Sequence, residues 1–190
     1  MNVLVTGGSS GLGAAITKRV AADSNCRVYF TYHKSIDEAK RMEALASNIF
    51  AIRCNFKDAA EVDALKEQIT KLDINVLVNN AYIGEVIKSH FHKIPVSDFL
   101  IGFTDNIIPT IMLTQAAISS FRKKKGGKII TVLTAGLINT PPLGSAVYNA
   151  NKAYLEQLTK VWAVENARYN ITSNSVSPAS MQTALTGDID

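Results

Sequence analysis

Short runs that are apolar almost without interruption recur along the chain, each followed by a longer stretch of helical periodicity. NVLVT (2–6), CRVYFTY (26–32), IFAIRC (49–54), INVLVN (74–79), KIITVL (128–133) and ITSNSV (171–176) read as strands, and 12–24, 36–47, 58–71, 97–124 and 145–169 as helices. The early strands are Val, Leu and Ile with little of the polar alternation seen when one sheet face is wet. Both faces must then be covered, which means a parallel sheet with crossover helices: an α/β, doubly wound fold with helices on both faces. A length of 190 residues, 47% of them hydrophobic, allows a real core. No repeat, low-complexity tract or linker divides it, so 1–190 reads as a single domain.

The placement of one glycine cluster narrows this further. TGGSSGLG, Thr6 to Gly13, stands between the first strand and the first helix. There Gly7, Gly11 and Gly13 permit a tight turn, close backbone approach and close helix–sheet packing, while the helix N-terminus offers free N–H groups and positive dipole to a pyrophosphate. The domain is therefore expected to be Rossmann-like and dinucleotide-binding. It is not a P-loop, because no Gly-Lys-Ser/Thr follows. A carboxylate at the end of the second strand would accept the ribose 2′-hydroxyl of NAD, but TYHKS, Thr31 to Ser35, has no acid and offers Lys34. A cation suits a 2′-phosphate, so NADP(H) is favoured over NAD(H).

Other classes fit less well. The net charge of +4 is mild, and its densest basic run, RKKKGGK (122–128), sits where a helix must end, which argues against nucleic acid. Cys26 and Cys54 lack metal-site spacing and read as buried, reduced thiols, which suits a cytoplasmic location. His90 and His92 read as loop residues rather than metal ligands, and no metal is expected. The chain opens directly on a strand, and no unbroken apolar run approaches the ~18 residues of a membrane span, so neither a signal peptide nor a membrane anchor is expected. The segment 97–124 carries apolar residues on more than one face. Burying the second against another copy, with Leu158, Val161 and Trp162 joining, predicts a homodimer or homotetramer.

In AVYNANKAYLEQL (146–158), Tyr148 and Lys152 are one helical turn apart on the same face. A free tyrosine, with a pKa of about 10, is a poor proton donor or acceptor near neutrality, and a neighbouring cation lowers that value. The pair can thus be read as a tuned acid–base.

Taken in order, these motifs resemble the short-chain dehydrogenase/reductase family in its single-domain form, over essentially the whole chain. TGGSSGLG looks like the family's cofactor turn, NNAY (79–82) like its NNAG, YNANK (148–152) like its YxxxK, and SPASMQT (177–183) like its PGxxxT. Asn106 falls where the family has an active-site asparagine on its long central helix. The resemblance implies cofactor contacts from Gly7, Ser9, Ser10, Gly11, Leu12, Gly13, Lys34, Asn55, Asn80, Ala81, Tyr148, Lys152, Pro178 and Thr183. It also implies that Tyr148 passes a proton to a carbonyl or from an alcohol while hydride moves at the nicotinamide. Lys152 would lower the tyrosine pKa and bind ribose hydroxyls, and Asn106 would hold a water that relays protons to Lys152.

The sequence departs from the family pattern in places. The family serine after the fifth strand aligns with Thr134 when counted from the strand and with Ala135 when counted back from Tyr148; Thr134 carries the needed hydroxyl, and Ser145 is an outside candidate. Tyr82 and Ala179 stand where the family has glycines, and Tyr82 is expected to crowd the cofactor path or stack on it. The family's last helix and last strand have no counterpart after TALTGDID, which leaves the preceding strand as an edge. The leading expectation is an NADP(H)-dependent carbonyl reductase or alcohol dehydrogenase. A non-catalytic NADP(H)-binding sensor or partner-binding protein is the alternative, and a sugar-nucleotide epimerase or dehydratase is disfavoured because it needs an added substrate domain.

Overall fold

Every neighbouring pair of strands runs parallel, as the apolar runs require. The computed structural model of the protein describes residues 1–179 and 181. Strands β1 (Asn2–Val5), β2 (Arg27–Tyr32), β3 (Ile49–Arg53), β4 (Val76–Asn79), β5 (Gly127–Val132) and β6 (Ile171–Val176) form one six-stranded sheet in the order β3-β2-β1-β4-β5-β6. Val3 stands opposite both Val28 and Val76 in the two central ladders. The order reverses between β1 and β4, so a crevice opens at their carboxyl ends, where doubly wound sheets bind ligands.

Side chains alternate across the sheet with a period of two and feed two cores. Leu4, Leu77, Ile129 and Ile171 pack on one face with Leu65 and Ile69 of α3 (Ala59–Lys71), Leu113 and Phe121 of α4 (Val96–Lys124), and Trp162 of α5 (Ala146–Asn166). Val3, Val5, Val28, Phe30, Val76 and Val78 pack on the other with Ala21 of α1 (Gly11–Ala21) and Met42 of α2 (Ile36–Glu43). Side chains this deeply buried contribute about 1.5–3 kcal/mol each against exposure. The α/β, Rossmann-like fold read from the sequence is the one observed.

Several boundaries differ from the periodicity. α1 ends at Ala21 rather than 24, because Asn48 Nδ2 donates to the carbonyls of Ala21 and Cys26 and ties the chain into the α1–β2 turn. α5 ends at Asn166 and continues as a 3₁₀ turn to Tyr169, where Asn170 takes a left-handed φ of 56°. The apolar surplus of α4 also finds a different use. Ile107, Leu113, Ala117 and Phe121 are buried within the chain, because α4 packs on both α3 and α5 as well as on the sheet. Trp162 is buried in the same core with the half-buried Leu158 against it, whereas Leu100, Ile101, Ile108 and Val161 remain exposed. By length and composition α4 is long and apolar enough to cross a membrane, yet its buried stripe is packed in the core beneath the sheet. β6 pairs with β5 alone among the described residues, and its Asn174, Ser175 and Val176 are exposed.

Candidate active site

Thr6, immediately after β1, staples the crevice. Its Oγ1 accepts from the backbone N–H of Asn80 and of Ala81, each at 3.0 Å, which binds the end of β1 to the end of β4. Gly7 then turns the chain at a φ of +66°, a conformation that disfavours a side chain, and its N–H donates to Thr31 Oγ1 at 2.8 Å. A methyl group on Gly13 would lie 2.1 Å from the Gly7 carbonyl oxygen and 2.6 Å from Asn80 Nδ2. The turn and α1 therefore pack at a distance that only a bare backbone allows. α1 begins with Ser10 as N-cap, whose side chain makes no capping bond, and the first turn carries no acidic residue. Its leading N–H groups have no intrahelical acceptor and are open to an anion.

The other end is built by α5 and the loops after β4 and β5. Lys152 is 3% exposed; its Nζ donates to the Val132 carbonyl at 2.7 Å. It lies 5.6 Å from the Tyr148 ring centroid and 5.4 Å from that of Tyr82. The two rings meet edge to face, with centroids 4.8 Å apart. Thr134 caps a short 3₁₀ turn (Ala135–Leu137) and sets its hydroxyl against the Tyr148 phenol, which favours the phenolate. Ser145 is turned elsewhere: it is buried, donates to the Pro142 carbonyl at 2.5 Å and accepts from Asn149 Nδ2 at 2.6 Å.

The electrostatics run against the simple lysine–tyrosine expectation. Burial is the larger influence on Tyr148 and raises its pKa, with the Thr134 hydroxyl acting in opposition. Burial also pushes Lys152 down to about 8. A lysine that loses its proton near 8 is neutral before a phenol raised above its ordinary value titrates, so the cation acts on Tyr148 only while both groups are protonated. Asn106 is committed elsewhere: its Oδ1 accepts from Ile83 N at 2.6 Å and its Nδ2 donates to the carbonyls of Ile83 (3.0 Å) and Gly102 (2.9 Å). Its side chain holds the loop after β4 rather than facing the pocket.

One cavity of about 400 Å³ connects the two ends. Of the residues the sequence singled out, Gly7, Ser10, Gly11, Leu12 and Gly13 line it at the turn, Asn80, Ala81 and Pro178 along the middle, and Thr134, Tyr148 and Lys152 at the far end. Ser9, Lys34 and Asn55 are not among its walls; Lys34 and Asn55 follow β2 and β3 on the same edge of the sheet. Asn55 is tied down locally: its backbone N–H donates to Glu61 Oε2 of α3 at 2.7 Å, and its Oδ1 accepts from Lys57 N at 3.1 Å. Thr183 lies outside the described residues. Sequence reasoning missed Thr6 and Thr31, which brace the turn, and Asn151, whose buried Nδ2 has no partner in hydrogen-bond geometry among the described residues. A threonine closing NVLVT and one next to last in CRVYFTY were the available signals for the first two. Both cysteines are free and buried, and the described residues hold no cluster of His, Cys, Asp and Glu able to bind a metal.

The family model for short chain dehydrogenases matches residues 1–190. A 3-oxoacyl-[acyl-carrier-protein] reductase from Synechocystis sp. is 32% identical over 194 residues, covering 98% of this chain and 76% of that protein. A solved short chain dehydrogenase/reductase family protein superposes with a TM-score of 0.87 at 29% identity, covering 97% of this chain and 76% of that one. A 3-ketoacyl-(acyl-carrier-protein) reductase from Brucella melitensis, complexed with NADH, gives a TM-score of 0.85 at 25% identity, covering 97% and 77%.

Proposed function

Because the chain belongs to the short-chain dehydrogenase family, whose chemistry is NAD(P)-dependent oxidoreduction, we propose that it interconverts a carbonyl and an alcohol with Tyr148 as general acid–base and NADP(H) as cofactor. The observation that carries this reading is one continuous cavity with an uncapped helix N-terminus at one end and Tyr148, Lys152 and Thr134 at the other. A dinucleotide fits such a cradle, since the start of α1 has open N–H groups and no acidic residue, and bare Gly13 lets the turn pack tight against it. Gly11, Leu12 and Gly13 would hold the pyrophosphate at the start of α1, and Lys34 would meet the 2′-phosphate. When bound, the nicotinamide supplies or takes up the hydride.

In reduction, Tyr148 donates its phenolic proton to the substrate oxygen; in oxidation it accepts the hydroxyl proton. Thr134 orients that phenol and stabilises its deprotonated form. Lys152 keeps a positive charge in a dry site, where it counters the phenolate. Asn106 acts through Ile83, holding the loop that carries Tyr82 and Val86 into the pocket wall. The exposed apolar residues of α4 support a homodimer or homotetramer, and two buried reduced thiols suit the cytoplasm. A cofactor-binding protein without turnover is the second reading, favoured by the bond of the Lys152 ammonium to the Val132 carbonyl.

Titration with NADPH and with NADH, followed by intrinsic fluorescence and calorimetry, tests the cradle. NADPH is expected to bind in the micromolar range, about tenfold or more tighter than NADH, with Lys34→Ala narrowing the gap by removing one phosphate contact. Absence of binding for both overturns the proposal. Binding without turnover of any carbonyl or alcohol supports the second reading.

A further inference from the structure

Tyr82 stands at a position where the family resemblance calls for glycine, and the structure gives its side chain a definite place. The backbone on both sides is pinned: Ala81 N donates to Thr6 Oγ1, and Ile83 is held at both its N–H and its carbonyl by Asn106. The ring thus enters the site from a fixed origin and lies along α5, meeting Tyr148, Asn151 and Lys152, residues at i, i+3 and i+4 of one helical face. Its contact with Tyr148 is edge to face, and its face is turned to the Lys152 ammonium, an arrangement that attracts through the ring quadrupole. Burial raises the Tyr82 pKa and the neighbouring Asn151 amide opposes it, while Asn151 Nδ2 is buried with no partner in hydrogen-bond geometry among the described residues. Asn151 is itself held in the α4–α5 contact beside Gly102, where an added methyl would come within 3.0 Å of its Nδ2.

We propose that Tyr82 is a positioning residue for the reacting pair: its ring fixes the edge of Tyr148 and covers Lys152, so that phenol and ammonium keep one arrangement in a water-poor site. This rests on the reading of Tyr148 and Lys152 as the groups that act on substrate. A glycine at this place leaves both groups to solvent and to their own rotamers. The aromatic side chain does for this chain what a bound molecule would otherwise have to do.

Two measurements separate this from the function it rests on. The first needs no turnover: competition labelling of the cofactor-free protein with acetic anhydride across pH, read lysine by lysine by mass spectrometry. Lys152 is expected to titrate near about 8 in the parent protein. In Tyr82→Ala its midpoint moves up toward the ordinary lysine value of about 10.4, because water reaches the ammonium, while Tyr82→Phe keeps the low value. The urea unfolding midpoint serves as the folding control and stays close to that of the parent in every variant. If Tyr82→Ala lowers it sharply, Tyr82→Gly, with the residue the family uses, takes its place. An unchanged Lys152 midpoint in the folded variant overturns the proposal. The second measurement is steady-state reduction of a carbonyl substrate: kcat falls about tenfold in Tyr82→Ala, as expected for loss of orientation, and recovers in Tyr82→Phe while KM for NADPH changes little. Unchanged kcat in Tyr82→Ala also overturns it. Absence of turnover in the parent protein sinks the enzyme reading alone, since the labelling result still decides what Tyr82 does.

Discussion

The two ends of the cavity solve opposite problems. At the glycine turn the working parts are backbone groups: N–H donors at the start of α1, held by Thr6, Thr31 and Asn80 at distances that exclude even a methyl group. Packing and function coincide there, since what tightens the turn also shapes the anion cradle. At the tyrosine end the working parts are ionisable side chains removed from water, and burial opposes the charge each would carry. Function there is held against stability. The difference predicts that damage at the turn costs binding and stability together, whereas damage at the tyrosine end can lower turnover and leave the fold untouched or firmer.

The largest effect sharpens that contrast. Tyr148→Phe removes only a hydroxyl, and with it the proton donor, so turnover is expected to fall by roughly 10²–10⁴ while NADPH affinity and melting temperature stay close to those of the parent. Stopped-flow turnover with calorimetric binding checks both. Equal losses in affinity and rate would mean that the phenol is a structural part of the cradle.

Legibility in the sequence divides along the same line. The sheet, its parallel ladders and the glycine turn were readable because apolar periodicity and the position of Gly7 and Gly13 express backbone geometry directly. The pairing of Tyr148 with Lys152 on one face was readable for the same reason. What the residues then do to each other was not. The raised pKa of Tyr148, the diversion of Lys152 to the Val132 carbonyl and the commitment of Asn106 to Ile83 all depend on burial and on partners distant in sequence. The burial of Trp162 within the chain was hidden on similar grounds, because one helix pattern cannot say how many neighbours a helix has. That Thr134 meets the Tyr148 phenol while Ser145 bonds the Pro142 carbonyl is a matter of loop path, which spacing alone did not reveal.

At the turn, Gly13→Ala should cost stability and cofactor together. The new methyl would sit 2.1 Å from the Gly7 carbonyl, a backbone atom that cannot rotate away. Overpacking of this kind costs about 1–3 kcal/mol and moves the backbone. A lower midpoint in urea with an unchanged slope, and NADPH affinity reduced in parallel, is the expected outcome. Loss of affinity at full stability would break the coupling claimed for this end.

The opposite sign is expected at Lys152. Its folded-state pKa of about 8 lies below the value near 10.5 of an unhindered lysine, so between these pH values the unfolded chain binds more protons than the folded one. Stability should therefore rise with pH across that window. Below about pH 8 the buried ammonium costs the fold about 3 kcal/mol, at roughly 1.36 kcal/mol per pH unit of difference. Lys152→Met keeps the length of the side chain without the charge. It removes the pH-dependent term, and it leaves the Val132 carbonyl without its donor, a loss of about 1 kcal/mol. At pH 7 the variant should thus be more stable by about 2 kcal/mol, with turnover abolished. By pH 10.5 the advantage should vanish or reverse. Because packing and the lost hydrogen bond contribute alike at both pH values, the change in the stability difference between them isolates the charge. Urea unfolding of both proteins at pH 7 and at pH 10.5 measures it, and a difference that does not move with pH would show that Lys152 is not held against its own hydration.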